Sequence, residues 1–281
     1  MSTTFLHTDI ITPTLEHFRL HVDSIDKIPW EEKTEDRLLW RGRSTGTVAQ
    51  TGVDWRNSQR HRLVALFKMA IMKLPTSVSF LSTDPDEDGS DEPPIEISAT
   101  ELNLDLMDIS FGDAPVQCDS EVSQFMHERQ SHPDGYKYRY VLDVDGNGWS
   151  ARFKRLLLSQ SIILKATVHP DWFTDRIQPW VHYVPVKVDF SDLYDIMTFF
   201  RGAKTSLTQR NHDTETSSEA KTGTQIAKAG TEWSNRFWRR EDMDAYLLRL
   251  MLEYARVMSD DRDAMSFVYD KAIHGDPHLP A

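Results

Sequence analysis

YRYVLDVDGNGWSARFKRLLLSQSIILKA, residues 138–166, decides the fold class. Tyr138 to Val144 is dense in β-branched and aromatic side chains, the composition of a strand. It runs into the glycine-bearing turn Asp145-Gly146-Asn147-Gly148. A short helix is expected next, with Ser150 as its N-cap and Phe153, Leu156 and Leu157 on one face. Ser161 to Ala166 reads as a second strand. Strand, helix and strand on short connections describe a parallel sheet covered by helices, an α/β protein. Downstream, Trp180 to Val186 (WVHYVPV) predicts a third strand, and Ser191 is expected to cap a helix carrying Leu193, Ile196, Met197 and Phe200. Met243 to Val257 has the strongest helical period in the chain. Its Tyr246, Leu247, Leu250, Met251 and Tyr254 are expected to form a core stripe.

Upstream, Leu38-Leu39-Trp40-Arg41-Gly42-Arg43-Ser44-Thr45-Gly46 reads as a strand entering a glycine-flanked basic turn. Trp55-Arg56 and then Arg60-His61-Arg62 follow, opening an apolar helix from Leu63 to Met72. Two low-complexity stretches interrupt the alternation. DPDEDGSDEPP, residues 84–94, is an acidic, solvated loop. Residues 205–230, rich in Thr, Ser, Lys and Glu, read as a mobile polar insertion.

The 281 residues include 32 Lys and Arg against 44 Asp and Glu, a net charge of -12. That sign argues against a general nucleic-acid binder, whose phosphate contacts need clustered cations. A single cysteine, Cys118, excludes an intramolecular disulfide framework and any cysteine-cluster zinc site. Apolar runs such as Leu156–Leu158 fall far short of the roughly 20 residues of a membrane span. The first residues, MSTTFLHTDIITP, show neither a basic segment nor a continuous apolar one, so no secretory signal is expected there. Read by itself the chain is expected to be soluble and cytoplasmic.

Three chemistries compete for Asp143-Val144-Asp145-Gly146-Asn147-Gly148. The run fits the first half of a calcium-binding loop, but the twelfth position, a bidentate glutamate in such loops, is Lys154, and a strand precedes it. Asp143 and Asp145 also form an Asp-x-Asp pair, a metal motif of one class of nucleotide-sugar transferases that is short and frequent by chance. The third chemistry looks past the acids to the turn. Gly146 to Ser150 entering a helix would present several backbone N–H groups, a geometry that attracts phosphate. Arg152 and Lys154 add charge, and a guanidinium grips phosphate with two N–H groups at once. Neither a P-loop nor a Gly-x-Gly-x-x-Gly fingerprint is present. The five arginines between positions 41 and 62 reverse the local charge of an acidic chain. They are either a solvated basic edge or one jaw of a site for a small polyanion, the other being Ser150–Lys154.

The phrase YKYRYVLDVDGNGWSARFKRLLLSQSIILK, followed by WFTDRIQPWVHYVPVKVDFSDLYDIMTFFRG, resembles glycosyltransferase family 90. That family includes fungal capsule-associated xylosyltransferases and animal protein O-glucosyltransferases. Ile28-Pro29-Trp30-Glu31-Glu32-Lys33, the Trp40–Gly46 turn, Arg60-His61-Arg62-Leu63 and the helix after Glu241 share the likeness. The resemblance implies a GT-B-like fold, with a Rossmann-like nucleotide-sugar domain facing an N-terminal domain across a cleft. It implies inverting transfer of xylose or glucose from a UDP-sugar to a glycan or protein hydroxyl, without metal, in the secretory pathway. By motif, Ser150 and Arg152 match the Ser-x-Arg-x-Lys donor segment, with Ala151 between them, and Asn147, Gly148 and Trp149 match the turn before it. Arg60, or failing it Arg62, matches the arginine at the donor diphosphate. Arg43 stands where some members have serine, and Asp9–Pro13 is similar to a segment lining the acceptor side.

The family's proposed aspartate base belongs to an N-terminal region that the chain is not expected to include, so no catalytic residue is named. Residues 1–135 are expected to be a remnant of the N-terminal and cleft region, and 136–281 the donor-binding domain. The alternative to an active enzyme is a truncated or degenerate, non-catalytic paralogue that retains nucleotide binding.

Overall fold

A computed structural model describes residues 4, 6–19, 27–67, 77–80, 95–112, 114–119, 135–201 and 218–274. The acidic loop at 84–94 and residues 68–72 of the expected helix lie outside them. Among the described residues, no helix is long and apolar enough to cross a membrane. Two compact units are present, residues 1–238 and 239–281.

The first unit is built on a parallel five-stranded sheet. Its strands are β1 (Glu35–Gly42), β4 (Met107–Phe111), β5 (Tyr138–Val144), β6 (Ile162–Ala166) and β7 (Val184–Pro185), in the order β4-β1-β5-β6-β7. Strands β2 (Ser77–Phe80) and β3 (Ile95–Ser98) pair antiparallel as a separate ribbon. Leu38 pairs with Met107 on one side and Tyr140 on the other, and Tyr140 pairs with Ile162. Because side chains alternate along a strand, Leu38, Trp40, Tyr140, Leu142, Val144, Ile162, Leu164 and Ala166 fall on one face and form the main core. Helices α2 (Gln59–Phe67), α3 (Ala99–Leu106) and α5 (Leu193–Arg201) close that face with Leu63, Leu102, Leu106, Met197 and Phe200. On the other face, α4 (Phe153–Leu157) sets Phe153 against Phe173 and Trp238. His17 of the short α1 (Leu15–Arg19) joins that aromatic cluster, edge-on to Trp238. Covered on both faces, β6 is buried at every position, which accounts for a run that is apolar except at Lys165.

Four expectations change. One sheet spans residues 35 to 185, so the boundary drawn at 135/136 runs through it. The third strand shrinks to Val184–Pro185, because Trp180 takes a positive φ of 64° and its N–H turns back to the Tyr183 carbonyl. Residues 218–230 are no loose insertion but the start of α6 (Ser218–Phe237). Its inward side mixes the apolar Ile226, Ala227 and Trp233 with Gly223, Gly230, Thr231 and Ser234, which thins the hydrophobic signal. A Cβ on Gly223 would stand 2.6 Å from the Ile162 side chain, and one on Gly230 would stand 2.4 Å from the His182 carbonyl oxygen. Ile226 and Ala227 enter the core between them.

The fourth change concerns the second unit. Helix α7 (Arg240–Met258) forms as expected, but Met251 and Tyr254 are exposed and Tyr246, Leu247 and Leu250 half-buried. The other described helix in that unit, α8 (Lys271–His274), has four residues, too few to cover such a stripe.

Replacing glycine by alanine inside a helix ordinarily stabilises by up to about 1 kcal/mol. At Gly230 the sign reverses, because the methyl group meets a backbone oxygen that cannot move aside alone. Gly230→Ala is expected to destabilise by about 1–3 kcal/mol in urea unfolding, whereas Gln225→Ala on the exposed side of α6 changes little.

Candidate functional site: the crevice between β1 and β5

In chain order the five parallel strands are arranged 2-1-3-4-5, so the connections diverge between β1 and β5. After β1 the chain enters α2 on the core face, and after β5 it enters α4 on the other. Open α/β sheets bind ligands at such a switch point, outside the carboxyl ends of the strands. Two turns meet there, residues 43–46 after β1 and 145–150 after β5. The Gly46 N–H donates to Asn147 Oδ1 at 2.9 Å. Gly46 has a φ of +102°, and a Cβ there would lie 3.0 Å from the Gly146 oxygen, so the approach needs glycine.

Arg60 reaches the crevice from α2. Its Nε donates to the Asp145 carbonyl at 2.6 Å, Nη1 to the Arg43 carbonyl and the Thr45 hydroxyl at 2.8 and 2.7 Å, and Nη2 to the Val144 carbonyl at 3.2 Å. These four bonds leave one of the five guanidinium N–H groups. Arg152 arrives from the opposite layer. Its Nη1 donates to the Arg41 carbonyl at 2.6 Å, and Nη2 to Asp143 Oδ1 and, at 3.4 Å, to the same Val144 carbonyl. With three bonds made and its side chain 26% exposed, Arg152 has two N–H groups without a partner among the described residues. The pairing of like charges is felt. Burial first and then Arg152 bring Arg60 down to about 10, still cationic at neutral pH.

Beneath the turn, Asp143 is wholly buried and accepts from the Ser150 hydroxyl, Arg152 and Lys165 Nζ, the last at 3.0 Å. Burial opposes its ionisation, but Lys165 and Arg152 outweigh it and hold the carboxyl below the usual range. Asp145 accepts from the Thr167 hydroxyl and the Val168 N–H, each at 2.8 Å. Burial nonetheless raises its pKa. On the β1 side, Arg41 donates to the Asp108 carbonyl at 2.7 Å and pairs with the Asp108 carboxylate, which also accepts from the Tyr138 hydroxyl. Above this frame, and among the described residues, the main-chain N–H groups of Asn147 to Arg152 donate no hydrogen bond within the protein. The crevice thus combines two guanidiniums with a run of unused amides, an arrangement that binds anions.

A family model for glycosyl transferase family 90 matches residues 11–266. The chain belongs to that family. Protein O-glucosyltransferase 1 of Rattus norvegicus is 31% identical over 129 residues, which are 45% of this chain and 28% of that protein. Protein O-glucosyltransferase 2 of Danio rerio is 30% identical over 139 residues, 48% of this chain and 25% of that protein. O-glucosyltransferase rumi of Drosophila pseudoobscura pseudoobscura is 30% identical over 134 residues, 46% and 28% respectively. The chain spans about a quarter of the length of the curated relatives it matches.

Of the residues that the family-90 motif marks, the fold gathers Arg60, Asn147, Gly148, Ser150 and Arg152 at the crevice. Arg62 instead donates to Asn57 Oδ1 at 3.0 Å. Trp149 is half-buried and Ala151 exposed on the turn. Ser150 does not cap a helix. Its hydroxyl is spent on Asp143, and α4 begins at Phe153 with Arg152 in the cap position and no side-chain cap. The N–H groups without a partner described above therefore belong to the turn and not to a helix capped by Ser150. The two candidate metal carboxylates, Asp143 and Asp145, are likewise spent on internal donors. Lys165 and Asp171 went unread in the sequence. A lone lysine in the buried run Ile162–Ala166 was a usable signal, since such a cation must be paired. Asp171 had no such signal.

Asp171 is 8% exposed, and burial raises its pKa from 3.8 to about 6. Lys165 opposes that shift, whereas Asp145 and Asp143 add to it, and His169 also faces it. Because the folded value lies above the unfolded one, this carboxyl destabilises the fold as pH rises from about 4 to about 6. Asp171→Asn removes that loss, so its stability relative to the parent should rise by about 2–3 kcal/mol across the window and level off above it. Chemical denaturation of both proteins at pH 4, 5, 6 and 7 measures the difference.

Proposed function

We propose that the crevice between β1 and β5 binds the diphosphate of a UDP-sugar, and that the chain is the nucleotide-sugar part of a GT-B-like glycosyltransferase. The transferred sugar is glucose, named in the relatives' activity, or xylose. The acceptor is a hydroxyl group of a protein or glycan in the secretory pathway. One observation carries the proposal: two guanidiniums from opposite layers share the Val144 carbonyl beside a row of unused turn amides at the sheet's switch point.

In inverting transfer the acceptor oxygen attacks the anomeric carbon as the bond to the β-phosphate oxygen breaks. Negative charge grows on the departing UDP, and preorganised donors aimed at that charge usually contribute the largest part of the rate. Arg152, with two N–H groups left, meets the diphosphate. Arg60, nearly saturated by backbone carbonyls, fixes the two turns and supplies positive charge at short range. Asn147, Gly148, Trp149, Ser150 and Ala151 contribute main-chain N–H groups. These residues serve the leaving group alone, and the acceptor's proton passes to a base outside this set. The commitment of Asp143 and Asp145 to internal donors supports a metal-independent mode.

Isothermal calorimetry with UDP tests the site. Arg152→Ala is expected to weaken binding roughly tenfold to a hundredfold, since a desolvated, charge-assisted hydrogen bond contributes about 1.5–3 kcal/mol. UDP affinity should be the same in EDTA and in excess manganese. Equal affinities of variant and parent would remove Arg152 from the site, and a large gain with manganese would return the Asp-x-Asp pair to consideration.

A further inference from the structure

At the carboxyl ends of β6 and β7 lies a cavity of about 230 Å³ walled by Phe153, Ile177 and Tyr183 on its apolar side and by Lys165, Thr167 and Asp171 on its polar side. It is smaller than the roughly 300–1,000 Å³ of sites that take drug-sized ligands, with room for one small ring.

The polar wall is unevenly satisfied. Lys165 Nζ is held by Asp143 at 3.0 Å and lies 4.2 Å from the centre of the Phe153 ring. The Thr167 hydroxyl is held by Asp145 at 2.8 Å. Asp171 is more than nine-tenths buried, yet among the described residues nothing donates a hydrogen bond to its carboxylate. The Thr174 hydroxyl takes the Asp171 main-chain N–H instead, at 2.7 Å, which fixes the loop without satisfying the side chain. The carboxylate oxygens have no protein donor among the described residues and are not sealed off, so a ligand that supplies donors can meet them.

The surroundings select the ligand. A cation is disfavoured by Lys165 in the same cavity, and an anion by Asp171 with Asp145 behind Thr167. What remains is a neutral ring carrying several hydroxyl groups, with C–H faces to lie against Ile177 and Tyr183. The cavity is also joined to the crevice through a single residue. The Asp145 carbonyl is gripped by Arg60 at 2.6 Å, while its carboxylate holds Thr167 and Val168 of the cavity wall. Asp145 therefore ties the frame of the crevice to the wall of the cavity.

We infer that this cavity holds the pyranose ring of the sugar donor, with Asp171 accepting hydrogen bonds from its hydroxyl groups. The placement rests on the crevice being the diphosphate site. Calorimetry with UDP and with UDP-glucose, and saturation-transfer NMR with methyl α-glucoside, separate the two. UDP-glucose is expected to bind the full chain about tenfold more tightly than UDP, and Asp171→Asn to abolish that advantage while leaving UDP affinity unchanged. The melting temperature at pH 7 shows that the variant is folded. Lys165→Met, expected to lose affinity for both ligands together, shows what general damage to the frame looks like. An advantage that survives Asp171→Asn, or no advantage in the parent and no glucoside signal, overturns the inference. Failure of UDP to bind, with a glucoside signal that Asp171→Asn removes, overturns the diphosphate crevice and keeps Asp171 as a sugar contact.

Discussion

Asp143 ionises with no exposure to solvent, and the carboxyl end of the sheet is arranged around that charge. An unpaired carboxylate in such a place would cost several kcal/mol. Its three donors come from different segments, Ser150 from the turn, Arg152 from the start of α4 and Lys165 from the next strand. Satisfying one charge therefore fixes the path of the chain from β5 through the turn and the position of β6 beside it. The turn amides make no bond to this carboxylate, which is met by side chains. If Ser150 capped the helix, one donor to Asp143 would be lost and one outward amide would be closed. The conflict between the expected cap and the observed bond is thus resolved by the larger energy.

The same constraint explains how two guanidiniums can stand close together before any ligand arrives. Arg60 and Arg152 repel, and Lys165 adds a third positive charge nearby, but Asp143, Asp145 and Asp171 balance them within the same few residues. The folded state carries the cations already oriented, with half of their ten N–H groups anchored to backbone carbonyls. Preorganisation of this kind is useful to a reaction that develops charge, since little reorientation is left for the reacting moment. Arg60 and Arg152 divide the work, one mostly saturated and structural, the other partly open.

Much of this was legible in the sequence, for identifiable reasons. The strands at 138–144 and 162–166 were plain because a parallel sheet covered on both faces needs continuous apolar runs. Ser150 and Arg152 stand out as polar residues after a turn glycine and Arg60 as one of the arginines clustered at 41–62, although their partners do not stand out. Helix α6 is hard to read because its close contacts are made by Gly223 and Gly230, set in a run of Thr, Ser, Lys and Glu around the apolar Ile226, Ala227 and Trp233. Asp171 was invisible for a different reason. Its character comes from burial under a loop and from charges on β5 and β6, and no local pattern carries either. The stripe on α7 shows the converse error, in which a clean helical period was taken as evidence of burial that its own unit does not provide.

The overall charge of -12 and the basic crevice act on different length scales. Beyond a Debye length of roughly 8–10 Å in physiological salt, a ligand meets mainly the averaged acidic surface. A long polyanion such as a nucleic acid would lay most of its phosphates against that surface and be repelled. A nucleotide diphosphate is short enough to meet only the local field, where Arg60, Arg152 and the amides of 147–152 converge. Its binding energy must then come from short, directional contacts rather than from general attraction. Under the proposed function, an acidic chain with a small cationic crevice would discriminate by ligand size as well as by charge, which is why the same composition that argues against nucleic acid remains compatible with one diphosphate.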